Sequence, residues 1–127
     1  MARLLWICVG SAVGGGARYL LSGWIPKVLG SAFPYGTFAV NVIGSFLIAV
    51  VMYAGVEKAL IPPTVRLALA VGVLGGFTTY STFSYETMKS LQDGAWGIAV
   101  VNVLVTVLGC LGACLLGWAA AKWVLGA

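Results

Sequence analysis

Gly75-Gly76-Phe77-Thr78-Thr79-Tyr80-Ser81-Thr82-Phe83-Ser84-Tyr85-Glu86 is the stretch that decides how this chain is read. It falls inside a hydrophobic segment that runs from about residue 64 to 89. Gly75 stands roughly eleven residues into that segment, near the middle of a bilayer at about 1.5 Å of rise per residue. From Thr78 to Ser84, five of seven side chains carry a Ser or Thr hydroxyl. Polar groups at that depth are tolerated only where they face protein or water. Paired glycines and β-branched threonines are poor helix formers. The helix is therefore expected to break between about Gly75 and Thr79. A break frees backbone carbonyls, and the carbonyl end of a half-helix attracts cations. The alternative is that the hydroxyls bond back to the carbonyl four residues earlier and only bend the helix.

Beyond the expected break, Tyr80 and Phe83 lie three apart and share a helix face, with Ser81 and Ser84 on an adjoining one. An aromatic ring has a positive edge. Two ring edges beside hydroxyl donors suit a small anion, although aromatic pairs at this spacing also serve ordinary packing. Asn41 is a side-chain amide deep in another apolar segment. It either joins helices by a hydrogen bond or donates to a passing anion, and the sequence does not choose.

Outward from this stretch, the chain reads as four membrane spans, at about 4–25, 37–56, 64–89 and 95–124, in one domain covering 1–127. Of its 127 residues 61% are hydrophobic and 8% charged, with a mean hydropathy of +1.07. A soluble domain is about a quarter charged, so lipid must be the solvent for most of this surface. A span needs about 20 apolar residues, and the length accommodates four and little else. The first is expected to end at Pro26 and the second near Glu57-Lys58, before the Pro62-Pro63 pair. The Gln92-Asp93-Gly94 turn separates the last two. The basic start and apolar run of Met1 to Ala17 mimic a signal peptide, but the run continues to Trp24 and is read as a retained span.

Small residues recur at spacing four: Gly10 and Gly14, Gly72 and Gly76, then Gly109, Ala113 and Gly117. In lipid, close backbone approach is what holds helices together, so these stripes predict tight packing. Four spans put both termini on one side, with Arg3, Lys58, Arg66 and Lys122. The other side carries Lys27, Lys89 and, by snorkelling, Arg18. So weak a bias under the positive-inside rule allows insertion both ways, and hence an antiparallel homodimer.

Other chemistries find little support. The seven basic residues are scattered and form no patch, which argues against nucleic acid as a partner; they suit anionic headgroups of the lipid bilayer. Cys8, Cys110 and Cys114 lie in apolar segments, and the chain has no histidine, so they read as small buried thiols. Catalysis would need a paired base or carboxylate, and Gly14-Gly15-Gly16 lacks the Lys-Ser/Thr of a phosphate loop.

The chain resembles the Fluc (CrcB) family of bacterial fluoride channels over nearly its whole length. Four blocks carry the resemblance: Gly14-Gly15-Gly16-Ala17-Arg18-Tyr19, Gly36-Thr37-Phe38-Ala39-Val40-Asn41-Val42-Ile43-Gly44, Gly75 through Glu86, and the glycine-spaced last helix. The third block is the specific one. The resemblance implies a non-enzymatic, fluoride-selective passive channel in the bacterial inner (plasma) membrane. It implies an all-α protein with its third helix broken, assembled as an antiparallel dual-topology homodimer with two pores. It also implies a structural, untransported Na+ on the backbone carbonyls of Gly75 and Thr78. The implied fluoride path uses Asn41, Tyr80, Ser81, Thr82, Phe83 and Ser84, and Arg18 supplies positive potential at a vestibule. Tyr80 stands where the family often has phenylalanine. Cys110 replaces an expected hydroxyl, for which Thr106, one turn earlier on the same face, would substitute.

A rival reading is a proton-coupled small multidrug or guanidinium exporter, also a dimer of four-helix chains. It requires a membrane-embedded carboxylate, yet the first span has none and Glu86 lies near the end of the third. A further reading, a non-conducting membrane subunit, leaves the hydroxyl run unexplained.

Overall fold

All the regular elements are helical in a computed structural model that describes residues 1–126; Ala127, the end of the expected domain, lies outside them. In chain order these are α1 (Ala2–Leu29), α2 (Tyr35–Met52), α3 (Pro63–Leu67), α4 (Gly75–Phe77), α5 (Tyr80–Gln92) and α6 (Trp96–Leu125). A π-helical turn at Tyr53–Glu57 prolongs α2, and a second, Ala68–Leu74, joins α3 to α4. Four stretches are long and apolar enough to cross a membrane: Ala2–Leu29, Tyr35–Glu57, Pro63–Gln92 and Trp96–Leu125. The protein is accordingly a multi-pass membrane protein.

Pro26 does not end the first helix. A proline removes the bond to the carbonyl four residues back and crowds that carbonyl, here that of Ser22. That carbonyl lies against Gly36 at the start of α2. The helix runs on to Leu29 and stops at Gly30, whose φ of 87° suits a residue without Cβ. The third span extends at one end of the expected interval. Gly75 and Gly76 are helical, and the extended residues are Thr78 (φ −85°, ψ 159°) and Thr79 (φ −151°, ψ 119°).

The small-residue stripes pack as their spacing suggests. α1 lies along Ala68–Leu74 and α4. A Cβ on Gly14 would strike the Val73 carbonyl, and one on Gly76 would come within 2.7 Å of the Ser11 carbonyl. α2 packs most extensively on α6, where Gly117 meets the Phe46 backbone. Tyr53 and Trp118 meet edge to face, with centroids 4.9 Å apart. On the single chain, Leu104, Leu108, Leu111 and Leu115 form an exposed apolar face along α6, as expected where lipid or another apolar chain replaces water.

Candidate functional site

The site forms where α2 crosses the interval between α4 and α5. Asn41, 9% exposed, faces that interval. Its Nδ2 donates to the Thr79 carbonyl at 2.9 Å, and its Oδ1 accepts the Thr79 amide at 2.8 Å. One side chain thus replaces both helical bonds that an extended residue has lost. The Thr79 hydroxyl in turn caps α5, accepting the Thr82 amide at 3.2 Å. Ser, Thr, Asp and Asn serve best at this position because their oxygen reaches the orphan amides of the first turn.

These two bonds affect two carbonyls. In a continuous helix the Thr79 amide would bond to the Gly75 carbonyl, and the Thr82 amide to that of Thr78. Both amides are engaged elsewhere, by Asn41 and by Thr79. The Gly75 and Thr78 carbonyls are thereby deprived of their regular donors, and both residues line the same groove. Neutral carbonyl oxygens suit a hard cation. The groove residues include no carboxylate, so this donor set fits a monovalent ion better than a divalent one. Among the described residues no cluster of His, Cys, Asp and Glu could hold a metal.

The groove has a volume of about 410 Å³. Asn41, Tyr80, Phe83, Thr106 and Cys110 all line it. The Tyr80 and Phe83 rings stand 5.7 Å apart at 65°, edge towards face. Phe83 is buried, whereas Tyr80 is 80% exposed on the single chain.

A second, smaller cavity of about 200 Å³ opens between α1, α2 and the start of α5. Arg18, Ser22, Thr37, Thr79 and Thr82 contribute its polar lining. Arg18 Nε is buried with no hydrogen-bond partner among the described residues. Thr79 lines both spaces and is the residue they share.

The residues singled out in the sequence therefore divide. Asn41, Gly75, Thr78, Tyr80, Phe83 and Thr106 gather at the groove, and Arg18 and Thr82 at the second cavity. Ser81 and Ser84 border neither. Ser84 donates to the Tyr80 carbonyl at 3.1 Å, and the Ser81 hydroxyl lies 3.5 Å from that of Thr79.

Sequence reasoning missed Asn102 and Thr87. Asn102 is 3% exposed. It donates to Thr87 Oγ1 at 3.0 Å and accepts the Thr106 hydroxyl at 3.1 Å; Thr87 donates on to the Phe83 carbonyl at 2.8 Å. This chain ties α6 to α5 directly behind Phe83. The Thr106 proton is taken up within it, so Thr106 presents oxygen rather than a proton. The available signal was the spacing: Asn102, Thr106 and Cys110 recur every four residues on one face of α6.

Comparison with known proteins agrees with this picture. The profile of the family described as CrcB-like protein, Camphor Resistance (CrcB), matches residues 5–118. A protein of Anaeromyxobacter dehalogenans named fluoride-specific ion channel FluC is 49% identical over 126 residues, which span 99% of this chain and all of that one. Proteins of the same name are 54% identical over 111 residues in Citrifermentans bemidjiense, spanning 87% of this chain and 90% of that one, and 50% identical over 124 residues in Geotalea daltonii, spanning 98% and 100%. Sequence identity of this extent, running through every span that builds the groove, makes this chain a member of the CrcB family.

Proposed function

We propose that this chain is a fluoride-selective passive channel that moves cytoplasmic fluoride out across the bacterial inner membrane. The observation that carries the reading is near full-length identity of about half to proteins named fluoride-specific ion channel. The groove chemistry supports it. Fluoride is small, strongly hydrated and a strong hydrogen-bond acceptor. A selective path must replace its water with donors and weakly positive edges, yet release it again. The edges of Tyr80 and Phe83, the second Asn41 N–H and the Thr82 hydroxyl are of this kind, and Ser81, Ser84 and Thr106 complete the proposed path without donating from the groove. Arg18 adds positive potential at one mouth. Neutral hydrogen fluoride crosses membranes and ionises inside. An inside-negative potential then drives the anion out by about 2.3 kcal/mol per 100 mV, and no coupling ion or enzymatic step is required.

The working unit in this proposal is an antiparallel dual-topology homodimer with two pores. The third span of each chain is broken at Thr78-Thr79. One chain offers too few carbonyls to enclose a cation, and a second copy would complete the set. The Gly75 and Thr78 carbonyls from both copies would hold a structural Na+ that fixes the two breaks together. The weak charge bias between the two sides and the groove open on the single chain support this assembly. Proton-coupled export would need a carboxylate facing the transported cation, and none lines the groove.

The test is fluoride efflux from liposomes holding the purified protein, beside chloride efflux and a Phe83→Ile variant. Fast fluoride efflux without chloride efflux, lost in the variant, is the expected result. Well-folded dimers that release no fluoride would overturn the reading.

A further inference from the structure

Four of the eight Ser and Thr hydroxyls in the third span are turned inward. Thr78 donates to the Leu74 carbonyl at 3.0 Å, Ser84 to Tyr80 at 3.1 Å, Thr87 to Phe83 at 2.8 Å and Ser90 to Glu86 at 3.0 Å. Each proton goes to a carbonyl of its own helix, four residues back. In α1, Ser22 does the same towards Arg18, at 2.6 Å. Thr82 differs. Its Oγ1 accepts the Thr79 hydroxyl at 3.0 Å, and among the described residues its own proton has no such back-bond. A hydroxyl has one proton and two lone pairs. Because Thr79 donates, Thr82 cannot donate in return along that line, and its proton is turned away from Thr79. Thr82 lines the cavity that contains the unpartnered Arg18 Nε.

We infer that Thr79 is a positioning residue whose hydroxyl fixes the direction of the Thr82 proton, so that Thr82 meets an anion in the Arg18 cavity as a donor. Thr79 is placed as the donor of this bond. Its oxygen already accepts the Thr82 amide at 3.2 Å, and its backbone is held on both sides by Asn41. Donation therefore runs from the Thr79 hydroxyl to Thr82, while Asn41 holds the Thr79 backbone. The consequence is sign selectivity. A threonine whose proton is tied up offers lone pairs and suits a cation. One whose proton is free beside a guanidinium suits an anion. This inference deepens the proposed fluoride function and rests on it.

The experiment is a double-mutant cycle on fluoride efflux from liposomes, using Thr79→Val, Thr82→Val, the double variant and Thr79→Ser, with dimer integrity followed by size-exclusion chromatography. Thr82→Val leaves the Thr82 amide, and hence the cap of α5, in place. If Thr79 acts only as a cap, Thr79→Val slows efflux by the same factor with or without the Thr82 hydroxyl. If it orients the Thr82 proton, Thr79→Val and Thr82→Val each slow efflux at least tenfold, the double variant is no slower than either, and Thr79→Ser restores the parental rate. Equal factors in both backgrounds, or a parental rate in Thr79→Val beside a slow Thr82→Val, would overturn the inference while leaving the channel reading intact. A parent that passes no fluoride would overturn both. If Thr79→Val yields no dimer, Thr79→Gly, which an N-cap position tolerates at little cost, takes its place in the cycle and is read by the same two outcomes, and a fast Thr82→Val sinks the inference in either case.

Discussion

Asn41 and Thr79, 38 positions apart, are joined by two hydrogen bonds of 2.9 and 2.8 Å, in which one amide side chain satisfies both the carbonyl and the N–H of one residue. That pair holds the Thr79 backbone in its extended form. Everything else at the site follows from it: the cap on α5, the displaced carbonyl partners of Gly75 and Thr78, and the position of Thr79 between two cavities.

Asn41→Leu is therefore expected to do more than remove a polar group from the path. It leaves the Thr79 N–H and carbonyl without partners in a largely apolar setting, at about 1–3 kcal/mol for each unsatisfied group. The dimer should melt at a lower temperature in detergent, and fluoride efflux should fall by more than an order of magnitude. An unchanged melting temperature would mean that water or a re-formed helix takes over both bonds.

Sodium should matter to assembly rather than to driving force. Replacing Na+ on both sides of the membrane with a large organic cation is expected to slow fluoride efflux and destabilise the dimer, because carbonyls without their regular amide donors need a counter-charge. Identical rates with and without sodium would remove the cation from the proposal.

Asn102→Leu should destabilise the protein by about 1–3 kcal/mol, since it leaves the buried Thr106 hydroxyl without its acceptor and removes the donor to Thr87. Because Thr106 belongs to the same chain of bonds, adding Thr106→Val should cost less than the sum of the two single changes, as expected for residues in one network. Thermal unfolding of the three variants measures this directly.

The glycine stripe on α1 makes a contrasting pair. Gly14→Val must push Val73 away, and such overpacking costs about 1–3 kcal/mol or more. Gly23 has nothing within 4 Å of an added Cβ on the single chain. Gly23→Ala should therefore be neutral, or stabilising by up to about 1 kcal/mol through helix propensity. Yields and melting temperatures of the two variants test the assignment of this stripe to the packing of α1 on Ala68–Leu74.

The sequence by itself determined the solvent, the four spans and the position of the polar stretch. These are properties of composition and local order: apolar runs of sufficient length need lipid, and five hydroxyls in seven residues need a polar neighbour wherever they fall. The resemblance carried by Gly75 through Glu86 was legible for the same reason, since its pattern is contiguous. The tertiary structure alone decided which residues of that stretch extend. Propensity marked the whole interval from Gly75 to Thr79, but Gly75 and Gly76 stay helical, while Thr78 and Thr79 extend, because an amide from another helix competes for the Thr79 backbone. Which hydroxyls have free protons was likewise beyond local reading. Thr106 is engaged by Asn102, whereas Thr82 accepts from Thr79, and the sequence pattern gives them the same standing as candidates. A propensity belongs to one residue and its neighbours, but a proton goes to whichever acceptor the fold brings nearest.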